Sequence, residues 1–375
     1  MYPREELEGR IKRLRRWMSR RDIDLSLLKC PSNMLYLSGS KEARLLAVPL
    51  DDEPFLVARY AFGDEIVREQ TPFHVEVIKP HYGVSSKEVY DPKPLDPVAE
   101  RHGDAKRIAV DFTSEEDNIK YLRKKFRRGK KGAAILDVTP QLVRMRSVKS
   151  EYEISLIRES AEIAMGAFEQ LEIEVGMTER EIANRLDFNM RELGAEGTSF
   201  PTIIAIGSHS FNAHHVVTDR RLSEDDILLM DFGAIYKGYC SDMTRTFYIG
   251  KPPSKFIERY EVVLKAQSRA LGYIKDGLAI EKPDIEARKV IKEAGLLDHY
   301  VHGLGHGIGL DVHEYPSLRV GKPGHLEQNM VVSDEPGVYI RGWGGIRIED
   351  TVVVGKSGGI SLTNKISKDP LALRR

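Results

Sequence analysis

An apolar strand that ends in a carboxylate, turns, and returns to a second carboxylate is hard to bury, and this chain contains two such segments. The first is ILLMDFGAIYKGYCSDMTRTF at 227–247. The run 227–230 ends in Asp231, Lys237 and Gly238 offer a turn, and a second strand begins near Asp242. A hairpin centred on 236–237 sets Asp231 opposite Asp242, and opposed residues share one face with Cβ atoms about 4.5–5.5 Å apart. The second segment is DEPGVYIRGWGGIRIED at 334–350, where reflection about Gly342 sets Glu335 opposite Glu349. The Gly-rich turn leaves room for a bulge in that register. Isoleucine, valine and methionine neighbours imply burial, and buried carboxylates need partners or a metal ion.

Between the two hairpins lies VHGLGHGIGLDVHE at 301–314, with four glycines that exclude an ordinary helix and allow close backbone approach and special dihedrals around His302, His306 and His313. Eight of the eleven histidines fall between His209 and His325, which points to a site in the C-terminal part. Asp231, Asp242, Glu335 and Glu349 carry four negative charges, which two divalent cations would neutralise. Oxygen ligands with one imidazole suit manganese, cobalt, iron or zinc better than a thiolate-seeking metal. Two such ions about 3.5–4 Å apart activate a water and polarise a carbonyl, so the reaction class is hydrolysis of an amide or ester. Each piece alone has an ordinary reading. The aspartates can cap a turn, the glutamates can pair with Arg341 or Arg347, and a single histidine can be a satisfied core residue. The three segments together are what carry the metal site.

The rest of the chain sets the frame. At 375 residues, two domains are expected. Residues 1–145 alternate short apolar runs, at 25–30, 34–37, 45–50, 75–78, 108–110 and 133–136, with amphipathic stretches such as 115–126. The runs read as buried strands and the pattern as α/β. Residues 146–375 begin with two capping boxes, Ser150 with Glu153 and Thr178 with Glu181, each ahead of a helical apolar period. Helices are expected at about 254–275 and 284–294, the latter with Pro283 near its start. Hairpin-like strands lie between and after them, which makes this part α+β. Lys+Arg and Asp+Glu are equal at 57 each, so no global field attracts nucleic acid or an anionic membrane. The basic run 123–131 lacks interleaved aromatics beyond Phe126 and reads as a solvated helix end. No apolar run approaches the roughly 20 residues that span a bilayer. The N-terminus lacks a signal-peptide core, Leu7, Ile11, Leu14 and Met18 recur at helical spacing, and Cys30 and Cys240 are the only cysteines, so a cytoplasmic protein is expected.

At MDFGAIYKGYCSDMTRTF, HGLGHGIGLDVHE, SDEPGVYI and GIRIEDTVVV the chain resembles the pita-bread metallopeptidases, which include methionine aminopeptidase, aminopeptidase P and Xaa-Pro dipeptidase. The resemblance covers 150–355, and residues 1–145 are similar in size and pattern to the N-terminal domain of prolidases, aminopeptidase P and creatinase. It implies a pita-bread α+β catalytic domain over 146–375 behind a smaller α/β domain. It also implies two divalent ions, manganese or cobalt first and zinc or iron next, held by Asp231, Asp242, His306, Glu335 and Glu349. Asp242 and Glu349 would bridge the ions and Glu335 would also move protons. His214 matches an active-site histidine, His302 and His313 match histidines that orient substrate and stabilise the tetrahedral intermediate, and Arg347 resembles the arginine beside the bridging glutamate. Ala213 and His209 depart from the Pro-His and Gly-x-Asn usual in relatives with prolidase activity. That departure bears on substrate preference rather than on the metal ligands.

Methionine aminopeptidase usually lacks the N-terminal domain, and creatinase lacks the ligand set. The resemblance therefore implies hydrolysis of the bond before proline, in X-Pro dipeptides by an Xaa-Pro dipeptidase, with aminopeptidase P on longer peptides as the alternative. A C–S lyase or small-amide hydrolase is a further enzyme reading. Scaffold relatives without activity characteristically lose metal ligands, and all five stand here. A homodimer is also implied.

Overall fold

The computed structural model describes residues 2–82, 89–128 and 131–373. It divides into two compact units, one ending at Met145 and the other beginning at Arg146. In the first unit, helix Arg4–Ser19 buries Leu7, Ile11, Leu14 and Met18 along one face, as its spacing requires. The six-stranded sheet runs in the order Ala134–Asp137, Arg107–Val110, Leu25–Leu28, Leu45–Pro49, Phe55–Arg59, His74–Ile78. Its pairs are parallel at both ends and antiparallel around Leu45–Pro49. Leu25, Leu27, Phe55, Val57, Ile108 and Val110 anchor the core on one side.

Two expectations change here. The apolar run 34–37 is not a strand but the middle of helix Pro31–Ser38. Pro31 sets the first helical φ, and Gly39 closes the helix at φ 82°. Those start and stop signals outweigh a short apolar run whose period does not separate strand from buried helix. The strand Phe55–Arg59, absent from the sequence reading, sits inside the sheet between Leu45–Pro49 and His74–Ile78. Of the basic run, Arg123, Lys124 and Lys125 form the last turn of helix Glu116–Lys125. Residues 129–130 of that run lie outside the described residues.

In the second unit both capping boxes form, with each side-chain oxygen and each glutamate satisfying the other's backbone N–H at the head of helices Glu151–Glu169 and Glu179–Glu192. Helices Ser254–Leu271 and Lys282–Glu293 pack their apolar faces against the strands through Val263, Ala266, Ala287, Ile291, Val332 and Val352. The strands pair antiparallel. One sheet contains Ile203–Ile206, Ile227–Phe232 and Met243–Tyr248. Another runs Glu314–Leu318, Gly305–Gly307, Val331–Asp334, Asp350–Val354, Gly359–Ser361. No helix among the described residues is long and apolar enough to cross a membrane.

Candidate metal centre

The first carboxylate hairpin folds with a different register from the one expected. Lys237 and Gly238 both have positive φ, 45° and 78°, so they are the two central residues of the turn. The strand arms follow from that turn. Tyr236 faces Tyr239, and Asp231 faces Thr244 rather than Asp242. Asp242 instead lies just before strand Met243–Tyr248, where its N–H donates to Thr351 Oγ1 at 3.1 Å. The second hairpin keeps the expected register. Gly337 pairs with Arg347 and Asp334 with Asp350, and these two ladders bracket Glu335 and Glu349 face to face.

His306 comes from strand Gly305–Gly307, whose neighbour is Val331–Asp334. The glycines beside it serve close approach rather than unusual dihedrals. A Cβ on Gly305 would stand 2.2 Å from the Ser333 carbonyl oxygen. None of Gly303, Gly305, Gly307 and Gly309 has positive φ. This packing brings His306 Nε2 to 3.3 Å from Glu335 Oε1 and 3.6 Å from Asp242 Oδ2. One ligand atom each from Asp242, His306 and Glu349 lies within 4.8 Å of the others.

All nine residues singled out from the sequence line one cavity of about 630 Å³: Asp231, Asp242, His306, Glu335, Glu349, His214, His302, His313 and Arg347. Phe200, Pro201, Ile203, Val216 and Val301 supply apolar wall. The polar groups differ in how fully the protein satisfies them. Arg347 donates to Asp231 Oδ2 at 2.6 Å, to Thr244 Oγ1 at 2.9 Å and to Tyr339 Oη at 2.8 Å. His302 has Nδ1 at 2.7 Å from the Gly303 carbonyl and Nε2 at 3.0 Å from Tyr339 Oη. These distances assign the proton to Nδ1 and leave Nε2 to accept from the phenol. His214 and His313 make no hydrogen bond to protein among the described residues, although the His313 ring stands 4.2 Å from that of His306. They are the imidazoles open to a ligand.

Burial and mutual repulsion set the charges. Desolvation, then the neighbouring carboxylates, pushes Asp242 and Glu349 well above the usual carboxylate range, and Asp231 is also raised by desolvation. Desolvation acts on Glu335 the same way, but the hydrogen bond and charge of His306, with His302 and Arg347, hold it down at about 2. Within the five candidate ligands, two oxygens are buried without a hydrogen bond among the described residues, Asp231 Oδ1 and Glu349 Oε1. A buried acceptor left open in this way costs about 1–3 kcal/mol, more when charged. A cation removes both problems, since it satisfies the open oxygens and offsets the repulsion. The donor set, four carboxylates and one imidazole, fits divalent ions of the manganese-to-zinc group.

The sequence reading missed the residues that orient these side chains. Thr244 Oγ1 donates to Glu349 Oε2 at 2.6 Å while accepting from Arg347. Ser333 Oγ lies 3.1 Å from Glu335 Oε1 and accepts the His306 N–H at 3.0 Å. Tyr339 joins His302 to Arg347. Only strand alternation could have flagged Thr244, which sits opposite Asp231 once the turn is placed correctly.

Comparison with known proteins agrees with this chemistry. Residues 155–356 match the model of metallopeptidase family M24, and residues 10–148 match the creatinase/prolidase N-terminal domain. The chain is 34% identical over 363 residues to an Xaa-Pro dipeptidase of Pyrococcus furiosus, covering 95% of this chain and 98% of that one. The crystal structure of a prolidase from Pyrococcus horikoshii OT3 superposes with a TM-score of 0.84 at 32% identity, over 97% of this chain and 100% of that one. That of an X-Pro aminopeptidase from Thermotoga maritima MSB8 gives 0.85 at 30% identity, over 96% and 99%. Fold and site together define a metal-dependent peptidase. The chain belongs to metallopeptidase family M24, with a pita-bread catalytic unit behind a creatinase/prolidase-type N-terminal domain.

Proposed function

We propose that this enzyme is an Xaa-Pro dipeptidase that holds two divalent ions, manganese or cobalt in preference to zinc or iron, through Asp231, Asp242, His306, Glu335 and Glu349. The observation that carries the metal centre is the pair of open, buried oxygens on Asp231 and Glu349 within a ring of carboxylates. The dipeptidase assignment is supported by identity to the Pyrococcus furiosus enzyme over nearly the whole of both chains. The equal likeness to an X-Pro aminopeptidase structure keeps longer X-Pro peptides as the second reading.

Two ions held there would supply Lewis acidity and an activated water. The protein's own groups do the rest. Glu335 is the proton acceptor. His313, whose basicity burial and His306 both lower, stays neutral and can donate to an oxyanion, with His214 beside it in the cavity. His302 and Arg347 position Tyr339 and Asp231. A prolyl nitrogen in an X-Pro bond carries no N–H, so recognition of its ring rests on shape and apolar contact. Phe200, Pro201, Val216 and Val301 supply that surface. Both cysteines are free, which supports a reducing cytoplasm, and we propose a homodimer on the family likeness.

The test compares rates on an X-Pro dipeptide, an X-Pro tripeptide and a methionyl peptide with manganese, cobalt and zinc each supplied. The dipeptide should be cleaved fastest, with manganese or cobalt. Preference for the tripeptide would replace the dipeptidase reading by the aminopeptidase one, and no cleavage of either X-Pro substrate would end both. Light scattering that shows a monomer at working concentration would refute the dimer.

A further inference from the structure

A second cluster of metal-ligating side chains lies outside the five. Glu179 opens helix Glu179–Glu192 with its side chain fully buried, and two histidines from one downstream segment converge on it. His209 Nδ1 is 2.9 Å from Glu179 Oε1, and His215 Nε2 is 2.8 Å from Oε2. The two rings stand 4.8 Å apart. One ligand atom from each of the three residues lies within 4.8 Å of the others.

The carboxylate is crowded. Besides the imidazoles, it accepts from Ile206 N at 2.9 Å, Thr218 N at 2.8 Å and Thr218 Oγ1 at 2.6 Å. That makes five donors on a group with about four lone-pair positions. An ion seated between the carboxylate and the two imidazoles replaces two of those donors. It leaves the other three as the outer hydrogen bonds that orient a ligating carboxylate. The His209 side chain is 33% exposed, which gives an ion a way in and leaves room for a water as a further ligand.

We propose that Glu179, His209 and His215 form an additional metal site that takes a borderline divalent ion such as zinc. Two imidazoles and a carboxylate suit zinc, cobalt, nickel or copper, and not magnesium or calcium, which take oxygen ligands. The site has a consequence for the catalytic cavity. His209 and His215 flank Ala213 and His214, and Ala213, His214 and His215 all line that cavity. An ion here ties both ends of that stretch to the start of one helix and fixes the wall that carries His214.

The experiment uses the full chain, with zinc as the probe and excess ion removed by dialysis before the bound metal is counted. Wild type should retain one equivalent per chain more than His209→Asn, and His215→Asn should show the same loss. Crystals soaked in zinc should give an anomalous peak at the zinc edge between the three side chains. Peaks in the five-residue cavity serve as the internal control. Equal zinc content in wild type and His209→Asn would overturn the proposal. So would an absent peak beside Glu179 when the cavity peaks are present, which would mark the cluster as an ion-free hydrogen-bonded knot. Because the His209 ring is partly exposed, that variant stays decisive even if His215→Asn fails to fold.

Discussion

Replacing Thr244 by valine should weaken metal binding while leaving the shape of the site intact. The hydroxyl donates to Glu349 Oε2 at 2.6 Å and accepts from Arg347 Nε at 2.9 Å, and all three side chains are buried. Valine keeps the branch and removes both bonds. Losing a hydrogen bond to a charged group costs about 1.5–3 kcal/mol, and an unsatisfied buried donor on Arg347 costs about 1–3 kcal/mol more. Together they should destabilise the ion-free catalytic unit by about 2.5–6 kcal/mol. Partners that orient metal ligands typically contribute 10–100-fold in affinity, about 1.4–2.7 kcal/mol. The assay is manganese affinity by chelator competition, alongside turnover of an X-Pro dipeptide and a thermal melt. Thr244→Ser keeps the hydroxyl and should stay near wild type. If valine binds manganese as tightly as serine does, Thr244 does not orient Glu349, and hydrogen bonding from the protein does not prepare this site for its ions.

Other consequences are as specific. Gly305→Ala places a Cβ 2.2 Å from the Ser333 carbonyl, so it should displace the His306 strand, and manganese affinity should fall at least tenfold; an unchanged affinity would show that the strand gives way freely. Arg245 is wholly buried and bonds Asp350 Oδ1 at 3.0 Å and the Glu349 carbonyl at 2.6 Å. Arg245→Met should cost about 3–5 kcal/mol in urea unfolding, since it leaves a buried carboxylate short of its partner; a loss under about 1 kcal/mol would contradict that. Metal uptake should weaken as pH falls, and do so above the ordinary carboxylate range, because Asp242 and Glu349 hold protons more tightly than usual without an ion and must release them on binding. A competition assay from about pH 8 down to about pH 6 that finds constant affinity would refute this.

The candidate ligands were readable because each is an unusual residue in a burying context, and an aspartate after four apolar positions is costly to bury unless a cation or donor meets it. Their register was harder. Glu335 and Glu349 followed from symmetry about Gly342, but the Asp231 hairpin turns on which two residues take positive φ, and a lysine there gives no warning. The run 34–37 misled for a related reason, since a buried helix and a buried strand can share four apolar residues. Thr244, Ser333 and Tyr339 stayed hidden because a hydroxyl on a strand is ordinary until its partner across the sheet is known. The cluster at Glu179 was out of reach for the same cause. His209 and His215 were visible as histidines, but their meeting point is a glutamate on a distant helix.

Anomalous diffraction from crystals grown with manganese tests the metal centre most directly. Two peaks should appear in the cavity, about 3.5–4 Å apart, within bonding distance of Asp231, Asp242, His306, Glu335 and Glu349. A cavity without manganese, in protein from the same preparation that cleaves X-Pro peptides at full rate, would contradict it.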